Sequence, residues 1–212
     1  MEALGTEWAI DWVRRSAEVI AEHKAELSGL DRAIGDGDHG ENLDRGFRAV
    51  VAKLPDSGAE TPGAVLKLVA TTLISTVGGA SGPLLGTAYL KGAQAAGDAE
   101  QLDAAAVVAV LTAARDGVVL RGKAEPGDKT MIDAWDPAVR AAQEALDAGG
   151  DAGAVLDAAA DAAAAGAEAT DPLVARKGRA SYLGERAVGH RDPGAQSSAY
   201  QLRAAADAAA EG

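Results

Sequence analysis

The sequence predicts an all-α protein, and three observations carry that expectation. Hydrophobic residues make up 48% of the chain, yet aromatics are only 3%, with a single Phe. A core built from Ala, Leu and Val favours close helix-on-helix packing over a sheet rich in β-branched and aromatic side chains. Apolar residues recur at helical spacing, nothing alternates with period two, and Gly or Pro separates the periodic segments.

In chain order, Thr6 is placed to cap a first helix carrying Trp8, Trp12, Val13 and Ile20 on one face. A second helix opens near Glu41, with Leu43, Phe47, Val50, Val51 and Leu54 at helical spacing, and Pro55 stops it. Thr61-Pro62 reads as an N-cap followed by proline at the first helical position, and Val65, Leu66, Val69 and Leu73 form the stripe behind it. Gly78-Gly79 breaks that helix, and Pro83 starts the next, which runs to about Gly97. Asp103 to Leu120 follows, with Val107, Leu111 and Ala114 on one side. After the loop RGKAEPGDKTM, helix resumes around Ile132, with an adjustment expected at Asp136-Pro137, and ends at Gly149-Gly150. The Ala-rich stretch from Asp151 to Thr170 has high helix propensity, and Val155 and Leu156 give it a face. A second special loop spans Arg176 to Gly194, and Asp192-Pro193 caps a last helix reaching about Ala210. The sum is roughly eight helices, by count of these segments.

At 212 residues the chain suffices for one substantial core, and no linker or fixed-period repeat divides it, so a single domain over residues 1–212 is expected. No window approaches the roughly 18 to 20 apolar residues needed to span a bilayer. The start, MEALGTEW, lacks the basic and apolar regions of a signal peptide. There is no Cys, which excludes disulfides and thiolate metal sites, and the cytoplasm is the default location. A net charge of −12 argues against a nucleic-acid surface, which needs a basic patch.

Chemistry concentrates in glycine-rich loops. Asp31, Asp36 and Asp38 follow a D-x4-D-x-D spacing around IGDGDHGEN, directly before an amphipathic helix. Clustered carboxylates repel one another unless a cation lies between them, and glycines let backbone approach a ligand closely. Such a cluster is either a solvated turn or a site for Mg²⁺, which takes hard oxygen ligands and completes its octahedron with water and phosphate. The patches Gly35–Asn42, Gly78–Gly82, Gly122–Lys129 and Gly184–Gly194 include three that lead into helix N-termini, near Glu41, Pro83 and Pro193. Unpaired N–H groups there favour anions, and together with the carboxylates they describe a Mg-nucleotide site without a parallel sheet. Lys123, Lys129, Arg176, Lys177 and Arg179 serve either as phosphate contacts or as surface charge, and His39 and His190 fall in loops where an imidazole is commonly exposed. An EF-hand is excluded: counted from Asp36, the sixth position is Glu41 rather than Gly and the twelfth is Phe47 rather than Glu. GKAEPGDKT is not a P-loop, because Asp128 separates Gly127 from Lys129 and the βαβ context is missing.

LDRAIGDGDHGENLDRGF, VGGASGPLLGT, RGKAEPGDKTMIDAW and ARKGRASYLGERAVGHRDPGAQS resemble the four signature segments of the dihydroxyacetone kinase L subunit family, in the family's order from Leu30 to Ser197. The resemblance implies an eight-helix antiparallel barrel with nucleotide at one rim. It implies that Asp31, Asp36 and Asp38 hold two Mg²⁺, and that His39, Gly40, Glu41, Asn42, Ala80 and Ser81 lie against the nucleotide phosphates, Glu41 through its backbone. Gly122, Met131, Arg179, Asp192, Pro193 and Gly194 would complete the pocket, with Arg179 acting in catalysis by neutralising the transferred phosphoryl group.

Family members take two forms. In one, this domain is fused behind a domain that holds dihydroxyacetone, and ATP is the donor. In the other the L protein is separate, and its ADP (ATP when charged) is a coenzyme rephosphorylated by a phosphohistidine on an M subunit while a K subunit presents the substrate. The chain begins at its first expected helix and ends just after its last, which favours the separate subunit of a phosphoenolpyruvate-dependent phosphotransferase. The alternatives are a nucleotide-binding subunit of a split ATP-dependent dihydroxyacetone or tetrulose kinase, and a nucleotide-binding regulatory module. The resemblance also admits a transcription regulator and a second copy of the chain as partners.

Overall fold

The computed structural model describes residues 3–211; Met1, Glu2 and Gly212, at the ends of the expected 1–212 unit, lie outside them. Nine α-helices succeed one another among these residues: α1 (Thr6–Glu22), α2 (Lys24–Ile34), α3 (His39–Lys53), α4 (Pro62–Thr76), α5 (Ser81–Ala96), α6 (Ala104–Gly122), α7 (Ile132–Asp147), α8 (Ala152–Glu168) and α9 (Pro193–Glu211). A 3-10 segment, Arg179–Ala187, lies between α8 and α9. The extended pairing among the described residues is one isolated antiparallel bridge between Leu4 and Leu102. The protein is all-α, as expected.

Helix neighbours follow a closed order. α1 packs on α3, α3 on α4, α4 on α5, α5 on α6, α6 on α7, α7 on α8, α8 on α9, and α9 back on α1. Eight helices thereby form a ring, the counterpart of the expected barrel. α2 stands apart from that succession, packed on α3, on α9 and on the 3-10 segment. It was not anticipated, because its boundary with α1 is His23 alone, with φ −93° and ψ 11° and neither Gly nor Pro to mark it.

Several helix starts differ from expectation. Gly5, not Thr6, is the N-cap of α1, and the Thr6 hydroxyl instead donates to the Glu60 carbonyl at 2.7 Å. α3 begins at His39 rather than Glu41. α5 begins at Ser81, so Pro83 sits within its first turn, where a missing N–H costs nothing. The caps expected at Thr61 and Asp192 form, Thr61 Oγ1 accepting from the Ala64 amide and Asp192 Oδ2 from Ala195. Asp103 Oδ1 and Asp151 Oδ1 likewise cap their helices by accepting from Ala106 and Ala154. Each such cap contributes about 1 kcal/mol. The adjustment expected at Pro137 does not end α7, which runs through it. Gly166 of α8 faces the crowded spot: a Cβ there would collide with the Asp133 carbonyl oxygen and the Pro137 ring.

The core is rich in Ala, with the few aromatics grouped inside. Trp8 and Trp12 stack at 5.3 Å between ring centroids, and Tyr89 lies 5.6 Å from Trp12. Their polar tips end on α9: Trp8 Nε1 donates to Ala205 O, Trp12 Nε1 to Gln201 O, Tyr89 Oη to Gln201 Oε1 and Trp135 Nε1 to Ser198 Oγ. A buried donor left unpaired would cost about 1–3 kcal/mol, so these bonds hold α9 in one position. That matters because α9 starts at the site described below. No helix among the described residues is long and apolar enough to cross a membrane.

Candidate functional site

Four helices begin at the wall of one cavity of about 170 Å³. Asp38 and His39 line it where α3 starts, Ala80 and Ser81 where α5 starts, Thr130 and Met131 just ahead of α7, and Asp192, Pro193 and Gly194 where α9 starts. Three such starts were anticipated from glycine placement; α7 adds the fourth. Each points the positive end of a helix dipole at the cavity, which favours an anion there.

Beside these starts lies the acidic cluster. Asp31, Asp36 and Asp38 each offer a carboxylate oxygen, and the three oxygens lie within 4.8 Å of one another. Asp31, at the end of α2, anchors the loop: its Oδ2 accepts from the Asp38 amide at 2.9 Å and the His39 amide at 3.2 Å. Burial raises the Asp31 carboxyl above the ordinary carboxylate range, those two amides oppose the shift, and the Asp36 charge adds to it. The set is all oxygen and all anionic, with no nitrogen or sulfur donor, so it fits a hard divalent cation such as Mg²⁺. The Arg179 guanidinium meets Asp36 Oδ2 at 2.7 Å across the cavity mouth.

His39 is buried, contrary to the exposed loop position that its surroundings suggest. Its Nδ1 pairs with Ser81 Oγ and its Nε2 with Ser197 Oγ, both at 2.9 Å. Burial lowers its pKa to about 4, so the ring is neutral at physiological pH. Both nitrogens are engaged by serine hydroxyls, which makes the ring a strut between the start of α5 and α9 rather than a nucleophile.

Of the residues singled out in the sequence, Asp31, Asp36, Asp38, His39, Ala80, Ser81, Met131, Arg179, Asp192, Pro193 and Gly194 line this cavity. Gly122 lines an adjoining cleft of about 440 Å³, which shares Ala80, Leu84, Met131 and Lys177 with it and adds Pro83, Val118 and Ala124. The chamber that carries the three carboxylates therefore adjoins a second cleft that lacks them. Gly40, Glu41 and Asn42 line neither. A Cβ on Gly40 would strike the Lys24 carbonyl oxygen, so its bare backbone serves the packing of α3 on α2. The Glu41 side chain is exposed and pairs with Lys24 at 3.4 Å. Asn42 is buried and accepts from Arg45 at 2.6 Å, while Arg45 also donates to Thr76 O, bracing the turn at Gly78-Gly79 from behind.

Other residues of the site were not evident as such. Lys129, which could have been surface charge, is fully buried with φ 62°, and its Nζ donates to Thr170 O at 2.6 Å. Burial pulls its pKa down, against the pull of Asp192, Asp171 and Asp133. Thr170 Oγ1 in turn accepts from the Asp192 amide at 3.0 Å, linking the loop before α7 to the start of α9. Burial pushes the Asp192 carboxyl up to about 7, with Asp133 adding and Lys129 opposing. Asp133 binds the amides of Gly127 and Thr130, at 2.5 and 2.7 Å, and so folds that loop over the helix start. The T-x-x-D spacing of Thr130 and Asp133 is a sequence signal that could have revealed it.

Comparison with known proteins places this geometry. The DAK2 domain family model matches residues 33–207. The chain is 44% identical over 202 residues to the PEP-dependent dihydroxyacetone kinase, ADP-binding subunit DhaL, of Escherichia coli, covering 95% of this chain and 96% of that one. It is 43% identical to the corresponding subunit of dihydroxyacetone kinase 1 from Listeria innocua, covering 93% and 94%. Among solved structures, the dihydroxyacetone kinase from C. freundii in complex with AMP-PNP and Mg²⁺ superposes with a TM-score of 0.71 at 27% identity. That match covers 98% of this chain and 35% of the other, so this chain spans about a third of the C. freundii enzyme.

Proposed function

Because the chain belongs to the DAK2 domain family, we propose that it is the ADP-binding subunit of a phosphoenolpyruvate-dependent dihydroxyacetone kinase, acting in the cytoplasm as one nucleotide-binding unit. A phosphoryl group passes from a phosphohistidine on an M subunit to dihydroxyacetone held by a K subunit, by way of the nucleotide bound here. The observation that supports this most is the meeting of four helix starts and three carboxylates at one cavity.

In this reading the starts of α3 and α5 face the phosphates at His39, Ala80 and Ser81, which line the cavity. Gly122 and Met131 border the cleft for the base. Asp192, Pro193 and Gly194 close the far side. Asp31, Asp36 and Asp38 would hold two Mg²⁺, which when bound would neutralise the phosphate charge. Phosphoryl transfer calls for positioning and charge neutralisation more than for covalent help. Arg179 supplies a planar, fixed positive charge at the mouth where the phosphoryl group enters and leaves. The neutral, doubly bonded His39 fits a strut, not a covalent carrier, so the nucleotide is the carrier.

Native mass spectrometry of the purified protein tests the reading. ADP and two Mg²⁺ should co-purify with the chain, and a protein that neither retains nor binds ADP with Mg²⁺ would overturn it. The likeness to the AMP-PNP complex favours a second reading, an ATP-dependent kinase subunit. Rapid exchange of bound ADP would speak for that one.

A further inference from the structure

The acidic cluster depends on α2, the helix that lies outside the ring, because Asp31 stands near its end and carries the hydrogen bonds that shape the Asp36–Asp38 loop. Something must therefore fix α2 against the ring. At the other end of α2, a residue of α9 does so. The Tyr200 ring stacks on His23 at 4.4 Å between centroids and 25° between planes. Its hydroxyl donates to the Glu26 carboxylate, 2.9 Å to Oε2 and 3.1 Å to Oε1, and lies 3.2 Å from His23 Nδ1. His23 Nδ1 itself lies 2.7 Å from Glu26 Oε2. The three side chains form a closed triangle around the α1–α2 junction.

We infer that Tyr200 is a positioning residue for the metal-binding carboxylates: by gripping His23 and Glu26 it sets the angle at which α2 leaves α1, and so where Asp31 stands. The inference rests on the reading of Asp31, Asp36 and Asp38 as the metal site. Glu26 and Asp31 are five residues apart on one helix, about 7.5 Å along its axis, so a small swing at the junction moves the carboxylate directly. The same helix α9 starts at the cavity with Asp192 and binds His39 through Ser197. Tyr200 stands two turns from the start of α9 at Pro193, so one rigid element braces the phosphate side and the metal side together. A site whose ligands come from separate helices needs such outer contacts to hold its geometry.

The test uses Tyr200→Phe, which keeps the ring stack and loses the hydroxyl bonds, and Glu26→Ala, which removes their acceptor. Mn²⁺ affinity, read by electron paramagnetic resonance in the presence of ADP, should fall about tenfold in both, the low end of what outer contacts to metal ligands command. Hydrogen exchange of the metal-free protein should quicken at the Asp38 and His39 amides while the amides of α4 and α5 keep their protection. A general loss of packing would quicken all of them. Unchanged Mn²⁺ affinity, or protection lost uniformly, would overturn the inference. Failure of the unmodified protein to bind Mn²⁺ would instead sink the metal reading, and the exchange pattern would still decide whether Tyr200 holds α2.

Discussion

The Arg179 guanidinium lies 2.7 Å from the Asp36 carboxylate and joins the basic segment after α8 to the acidic loop after α2. Both groups are solvent-accessible, so the pair contributes little to stability, on the order of 0–1 kcal/mol. The same arginine that balances Asp36 lines the cavity where, in the proposed function, phosphate charge would gather. Arg179→Lys keeps the charge and loses the planar fork. Reconstituted phosphoryl transfer should drop at least about tenfold while ADP binding changes little, since one donor to a developing charge commands that much or more. Turnover equal to the unmodified protein would reduce Arg179 to surface charge.

If the three carboxylates hold Mg²⁺ as proposed, removing one leaves phosphate charge under-compensated. Asp36→Asn and Asp38→Asn should each lose bound nucleotide during purification, as read by mass spectrometry. Circular dichroism should stay helical, because neither side chain caps a helix in the structure. Full nucleotide occupancy in both variants would remove these residues from the site.

Asp192 gives a pH signature. Its pKa in the folded protein is about 7 against an ordinary value of 3.8, so the folded state holds the proton more tightly than the unfolded chain. The stabilisation from that proton is complete below about pH 4 and is lost as pH rises through 7. Asp192→Asn keeps a side-chain oxygen for the Ala195 amide and cannot ionise. In metal-free, nucleotide-free protein, the melting temperature of the variant relative to the original should climb between pH 4 and 7 and level off above. A difference constant across that range would contradict the assignment.

Gly166 tests the packing of the ring. Gly166→Ala drives a methyl group into the Asp133 carbonyl and the Pro137 ring, which should cost about 1–3 kcal/mol in urea unfolding, as overpacking does. Because Asp133 also folds the Gly127–Thr130 loop, nucleotide affinity should fall with it. A variant as stable as the original would mean that α7 and α8 separate at no cost.

Much of this was legible in the sequence, for physical reasons. Caps at Thr61, Asp103, Asp151 and Asp192 are local, made within three residues, and the sequence carries them whole. The acidic cluster was legible because Asp31, Asp36 and Asp38 are so close in the chain that a short loop brings their carboxylates together. α2 was not, since His23 turns the chain without any residue that marks a break. Lys129 and His39 escaped because burial is decided by partners far along the chain, Thr170 for one and Ser81 and Ser197 for the other. Gly40 was placed against phosphate by the family resemblance, and a single sequence does not show that its missing Cβ admits the backbone of α2.

The central claim, that the nucleotide is a resident coenzyme, is tested most directly by turnover with a K-type partner and dihydroxyacetone. Helix starts and metal together should hold ADP far more tightly than a kinase holds a product that it must release. Phosphoenolpyruvate with the phosphocarrier chain should then sustain many turnovers, and ATP alone should support little beyond the first. Sustained turnover on ATP alone, with rapid exchange of labelled ADP, would contradict the claim and make this chain the subunit of an ATP-dependent kinase.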